Sequence, residues 1–185
     1  DLPDNPVMVV YENDVHCAVD GYARMAGLKK QMQKKTPYVS TVSCGDFVQG
    51  NLVGSVSCGK YIVDIMNHVG YDVVALGNHE FDWGTQYIAD NQKIAQFPFL
   101  AINVYDRKTN QRVAYCQPST TITVDGVKIG IIGAIGDCYS SISADKTGDV
   151  YFKVGSELTS LVKAESQKLR EQGVEFIVYT LHDGY

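Results

Sequence analysis

The sequence predicts an α/β fold, a layered sandwich of two sheets flanked by helices. Three observations predict it. Short apolar runs alternate with longer stretches in which apolar side chains recur every three or four residues. Clusters of Asp, Asn and His follow the C-terminal ends of several of those runs, where strand–helix–strand sheets place their binding sites. No internal repeat or Pro-, Gly- or Ser-rich linker divides the 185 residues, so the expectation is one domain with a substantial core.

Residues 7–11 form the first apolar strand and lead into Glu12, Asn13, Asp14, Val15 and His16. In extended geometry residues two apart project to the same side, so Asp14 and His16 can grip one ion; a loop Asp beside a surface His is the equal alternative. From Gly21 to about Lys35, the spacing of Tyr22, Met25, Leu28 and Met32 predicts an amphipathic helix. Lys29, Lys30, Lys34 and Lys35 then read as its wet face rather than a phosphate patch. Thr36 and Pro37 break that helix, and residues 38–44 form a second buried strand ending at Gly45 and Asp46. A helix from about Ser57 to Val69 follows, with Tyr61, Ile62, Ile65, Met66 and Val69 inward and Gly70 at its C-terminal end. His68 lies mid-helix, far from any strand end, and reads as structural.

Residues 73–76 form a third strand, which runs into Gly77, Asn78, His79, Glu80, Phe81, Asp82, Trp83 and Gly84. An amide, two carboxylates and an imidazole between two glycines suit metal or acid–base chemistry better than they suit folding. A helix over 85–95, a strand over 97–103 and a polar excursion to Pro118 come next. Residues 121–124 and 127–132 form a hairpin turned by Asp125 and Gly126. The Ser-rich loop 136–148 is long enough to reach over a site. A helix over 156–172, with Leu158, Leu161, Val162 and Leu169 inward, precedes the last strand, 176–181. That strand delivers His182, then Asp183, Gly184 and Tyr185.

The composition narrows the partners. Hydrophobic residues make up 45% and charged residues 20%, ordinary globular values. No run of about 18 apolar residues provides a transmembrane helix. The residues before the first strand carry neither a basic patch nor an apolar core of a leader; a secretory signal, if one existed, stands outside this chain. The net charge is −5 and the pI about 5.3, which disfavours a nucleic-acid polymer as partner. A phosphate-bearing substrate would need positive charge from elsewhere, and bound metal is the obvious source. The five cysteines (Cys17, Cys44, Cys58, Cys116 and Cys138) form no CxxC pair, so they read as unpaired thiols.

Four strand ends thus hand over metal-competent residues: Asp14 with His16, then Asp46, Asn78 and His182. A mixed set of carboxylate, imidazole and amide oxygen suits a pair of Mn, Zn, Fe or similar ions. Asp46, between the others in sequence order, is the natural bridge. Such a pair keeps net positive charge for phosphate and supports in-line attack of an activated water on a phosphoester. His79 beside Asp82 suits charge stabilisation or protonation of the leaving group.

The Gly77, Asn78, His79, Glu80 block resembles that of the calcineurin-like metallophosphoesterases, and with Phe81, Asp82 and Gly84 the 5'-nucleotidase family in particular. Asn13 to His16, Gly45, Asp46, Gly50, Asn103, Gly126 to Gly130, His182 and Gly184 extend the resemblance over most of the chain. It implies the metallophosphoesterase-type α/β/β/α sandwich. It implies two divalent metal ions, one on Asp14 and His16, the other on Asn78 and His182, with Asp46 bridging and His79 and Asp82 as the catalytic pair. Glu80, Phe81 and Trp83 read as structural or supporting. The implied substrates are nucleoside phosphates, and the implied location is extracellular, periplasmic or cell-surface.

Three departures qualify the resemblance. Glu12 stands where the family has a small hydroxyl residue, and Cys17 where glycine is usual. The family's Gly-His-x-His block, which gives each ion a histidine, does not occur in this sequence. Residues 1–185 are therefore expected to be the N-terminal part of a catalytic domain, with the last metal-binding block and a C-terminal substrate domain outside the chain. Such a fragment is expected to hold metal weakly, to be weakly active or inactive alone, and to dimerise or exchange strands through uncovered sheet surface. Within the resemblance, a 2',3'-cyclic-nucleotide phosphodiesterase or nucleotide-sugar hydrolase stands as an alternative, as does a non-catalytic surface or adhesion module that retains the fold.

Overall fold

A computed structural model describes residues 6–183; Gly184 and Tyr185, which close the last block, lie outside the described residues. Strands β1 (Met8–Glu12), β2 (Val39–Ser43), β3 (Val73–Ala75) and β4 (Phe99–Leu100) pair in that order, all parallel. Parallel neighbours need helical crossovers. These are α1 (Val19–Gln33), the pair α2 (Leu52–Ser57) and α3 (Lys60–Val69), and α4 (Thr85–Ile94). Strands β5 (Val104–Asp106) and β8 (Val150–Phe152) form a short antiparallel ribbon. In a second sheet, β7 (Val127–Ile135) lies between its hairpin partner β6 (Ser119–Val124) and the parallel β9 (Phe176–His182), reached through α5 (Gly155–Glu171).

The layering follows from which side chains alternate inward. Val42, Val73, Leu100, Ile129 and Ile131 are buried together between the two sheets. On the outer face of the first sheet, Tyr22, Met25, Ile62, Met66 and Ile88 from the helices pack with Val10, Val74 and Phe99. On the outer face of the second, Leu158 and Leu169 of α5 cover Ile132 and Ala134. Neighbours such as Ile131 and Ile132 thus face different layers, as strand pleating requires. The order of layers is α/β/β/α. Each fully buried large aliphatic contributes roughly 1.5–3 kcal/mol. Gly133 marks a close approach of the sheets: a Cβ there would lie 2.3 Å from that of Leu100.

Several local expectations are corrected. The helix expected over 57–69 is α3, which starts only at Lys60, and α2 before it was not expected; Cys58 (φ 47) and Gly59 (φ 89) turn left-handed between the two. Gly59 sits where a Cβ would meet Val48 and the Asn91 amide at 2.7–2.8 Å, so close packing sets the break. Within α3 the buried face also differs from that expected: Val63 goes inward and Tyr61 is 52% exposed. In α1, Leu28 is exposed, whereas Lys29 reaches across to the Gly70 carbonyl at the end of α3. The strand expected over 97–103 is only the two residues of β4, since the Ala101 and Ile102 amides turn to Gln117 and Gly133 carbonyls. Residues 104–106, expected within a loop, are β5.

Candidate metal centre

The loops that follow β1 and β2 are tied together by backbone hydrogen bonds. The Asp14 amide donates to the Gly45 carbonyl at 3.2 Å and the His16 amide to the Asp46 carbonyl at 3.0 Å. Asp14 (φ 55), His16 (φ 47), Cys17 (φ 60) and Asp46 (φ 58) all adopt left-handed backbone. Such conformations cost of order 1–3 kcal/mol each in non-glycine residues and persist where surrounding structure over-determines them. Gly77 leaves room for the central carboxylate: a Cβ there would lie 2.2 Å from Asp46 Oδ1.

The side chains from the four strand ends converge. Asp46, 4% exposed, lies at the middle. Its Oδ2 is 3.3 Å from His182 Nε2 and 3.8 Å from His16 Nε2, and His16 Nε2 is 4.0 Å from Asp14 Oδ1. Asn78 Oδ1 is 3.1 Å from His182 Nε2. Asp46 Oδ1 accepts the His79 backbone N–H at 2.9 Å. His79 Nδ1 is 2.8 Å from Asp82 Oδ2, and the His79 and His16 rings meet edge to face at 5.1 Å. Among the described residues, two sets of donor atoms each lie within 4.8 Å of one another: Asp14, Asp46 and His182, and His16, Asp46 and His79. Asp46 belongs to both.

The donors fit divalent cations in a second respect. A metal-binding imidazole needs its other nitrogen fixed by an acceptor. His182 Nδ1 donates to the Cys44 carbonyl at 2.8 Å, and His16 Nδ1 is 3.1 Å from Gln49 Oε1. Both arrangements leave Nε2 facing Asp46. The electrostatics agree. Burial works against a charged His182, but the Asp46 carboxylate outweighs it and holds the ring up at about 9. Asp46 is held below the usual carboxylate range despite its burial, chiefly by His182 and the His79 amide. Burial likewise opposes a charged His79, and the hydrogen bond to Asp82 overcomes it, raising the ring above its ordinary value. The centre therefore favours positive charge.

A cavity of about 440 Å³ opens over this cluster, with Asp137, Cys138, Ser140 and Ser141 along one wall. The loop expected to reach over a site does so. Gln49, the Cys44 carbonyl, Asp137 and Asp183 are contributors that the sequence reading missed; each needs a neighbour distant in sequence, although Asp183 adjoins His182. His68 is exposed in the last turn of α3 rather than mid-helix, is bonded to the Asp64 carbonyl and belongs to neither donor set.

Two departures from the family pattern are housed differently. Both Glu12 carboxylate oxygens are buried near Ser43 and Tyr71 but make no hydrogen bond within normal geometry, and burial pushes the group up to about 7. Cys17 is fully buried and its thiol donates to the Phe47 carbonyl at 3.2 Å. Gly54 makes room for it, since a Cβ there would lie 2.0 Å from the sulfur. All five cysteines are free.

Residues 9–172 match the calcineurin-like phosphoesterase family. The chain is 31% identical over 170 residues to the 5'-nucleotidase of Mus musculus, covering 90% of this chain and 29% of that protein. It is 30% identical over 198 residues to the snake venom 5'-nucleotidase of Gloydius brevicauda, covering 96% of this chain and 33% of the relative. It thus spans less than two fifths of the length of these relatives. The structure of a 5'-nucleotidase precursor from Thermus thermophilus superposes with a TM-score of 0.83 at 27% identity, over 96% of this chain and 37% of the other. A sulfate thiohydrolase, SoxB, shares the fold with a TM-score of 0.82 at 14% identity, over 100% of this chain and 45% of its own.

Proposed function

The chain belongs to the calcineurin-like phosphoesterase family, and from that premise we propose that it is the N-terminal part of the catalytic domain of an enzyme hydrolysing nucleoside phosphates, of 5'-nucleotidase type. The observation that carries this reading is the Asp46 carboxylate common to both sets of donor atoms. In this reading, following the family resemblance, Asp14 and His16 would hold one divalent ion, Asn78 and His182 the other, and Asp46 would serve both, although the two donor sets themselves group Asp14 with His182 and His16 with His79. The ions, when bound, supply positive charge for the phosphate and activate the attacking water.

The chain's own residues do the rest. Asp46 is fixed through its Oδ1 by the His79 amide, so the bridging group cannot rotate away. Asp82 holds His79 Nδ1, leaves Nε2 for the substrate and favours the protonated ring. His79 then stabilises charge on the leaving oxygen or donates a proton to it, worth typically 10²–10⁴-fold. Groups that select the base, and a further histidine for each ion, belong in this proposal to sequence beyond the 185 residues, so the fragment alone is weakly active or inactive. The 5'-nucleotidase and snake venom relatives support a nucleotide substrate and a location outside the cytoplasm. Among the described residues no helix is long and apolar enough to cross a membrane. Strand exchange through β9, which among the described residues pairs only with β7, is part of the same proposal for the isolated fragment.

The deciding assay incubates the full-length protein with Mn²⁺ and, separately, AMP, 2',3'-cyclic AMP and a nucleotide sugar, with His79→Ala and Asp46→Ala as controls. Preferential release of phosphate from AMP, lost in both variants, is the expected result. Preference for the cyclic or sugar substrate moves the specificity within the family. Bound metal with no turnover of any of the three would identify a non-catalytic module and end the enzymatic reading.

A further inference from the structure

After β2 the backbone turns through Gly45 (φ 105) and Asp46 (φ 58), and three successive amides, those of Asp46, Phe47 and Val48, point the same way. Converging amides of this kind form a concave anion-binding nest. The anion in it is the protein's own: the Glu80 carboxylate, 3% exposed. Glu80 Oε1 accepts from Phe47 at 2.8 Å and Val48 at 3.3 Å; Oε2 accepts from Asp46 at 2.8 Å and, on the other side, from the Gly77 amide at 2.6 Å. Both oxygens accept backbone N–H groups, which favours the ionised carboxylate, while burial and the nearby Asp46 charge push the group up to about 7. One side chain thereby joins the turn that carries Asp46 to the turn that carries Asn78. The His79 amide closes the circuit by holding Asp46 Oδ1.

We propose that Glu80 is a positioning residue for the metal centre: by filling the nest after β2 and gripping Gly77, its carboxylate sets the separation and orientation of Asp46 and Asn78. This rests on the metal reading given above. Four buried amides would otherwise lack an acceptor, and the left-handed Asp46 would be free to relax out of the bridging position. Glutamine keeps the shape but not the chemistry, because its NH₂ would face amides that themselves donate.

The test measures Mn²⁺ affinity of the full-length protein by titration calorimetry, alongside the melting curve of the chelated protein. Glu80→Gln is expected to lose about 10–100-fold in Mn²⁺ affinity, the usual consequence of removing a group that orients ligands. In Glu80→Gly, added formate is expected to refill the nest and raise the affinity above that in chloride at equal ionic strength. A Glu80→Gln protein that binds Mn²⁺ like the wild type overturns the inference while leaving the metal reading intact. So does formate that acts no better than chloride. A wild type that binds no Mn²⁺ overturns both. Variants that fail to fold with and without formate assign Glu80 to folding alone, which also overturns the positioning role.

Discussion

If His182 ligates a cation as proposed, binding must compete with a proton on its ring. With the ring held at about 9 by the Asp46 carboxylate, nearly all molecules carry that proton at neutral pH before metal enters. Since a ligating imidazole is neutral, each binding event expels the proton, and apparent affinity rises about tenfold per pH unit below 9. From pH 6.5 to 8.0 the gain is about 30-fold, flattening only as pH nears 9. Calorimetric titration of the full-length protein with Mn²⁺ at pH 7, in buffers of different ionisation enthalpy, should show release of at least one proton per protein. His182→Asn should lower that number by one. The metal-free protein should show the opposite trend in stability. His182 has a folded value of about 9, against 6.5 for the free side chain. The raised value means its contribution is fully present below about 6.5 and is lost as pH rises through 9. Allowing for solvent screening, that contribution is about 1–2 kcal/mol, a few degrees in melting temperature. Affinity independent of pH from 6.5 to 8.0, with no proton released, would refute the coupling between His182 and Asp46 on which this reasoning depends.

Other perturbations separate chemistry from scaffold. His79→Ala should lower phosphate release by about 10²–10⁴-fold while Mn²⁺ stoichiometry stays at the wild-type value, checked by metal analysis of the assayed protein. Asn103→Ala should lower stability by about 2–3 kcal/mol in chemical denaturation, because a buried amide that serves the Ile135 amide and carbonyl and the Lys153 carbonyl is lost. Gly133→Ala should lower it by about 1–3 kcal/mol, since its methyl would press on Leu100 and part the sheets; the melting temperature reads this, with metal content as control.

The parts of the molecule legible in the sequence are those specified by neighbours. A buried parallel strand reads as an apolar run, and the polar residues that follow it mark the end where a site can form; β1, β2, β3 and β9 can therefore be placed together with Asp14, Asp46, Asn78 and His182. The parts that cannot be read depend on contacts remote along the chain. Strand β5 exists because Val104 pairs with Phe152, and neither run is long or alternating enough to announce itself. The split between α2 and α3 is imposed by Val48 and Asn91 crowding Gly59, which no helical periodicity contains. Tyr61 reads as inward from its apolar spacing alone; in α3 the buried face is Ile62, Val63 and Met66, and which face is covered depends on the elements packed against it. Glu80 is legible as part of a motif, but its function lies in amides 32 to 34 residues away.

The same distances connect the composition to the chemistry. In a chain of net charge −5, the cavity over the converged strand ends is faced by Asp14, Asp46, Asp137 and Asp183. Left to themselves, four carboxylates around one opening repel a phosphate dianion, and more strongly in a partly enclosed site than in open water. His182 answers part of this charge by holding a proton, which makes the empty centre stable near neutrality without making it a phosphate site. Divalent cations answer the rest, because each brings two charges to where a ring brings one. In the proposed reading, the acidic surroundings that disfavour anion binding by the bare protein would be what attracts cations to the centre.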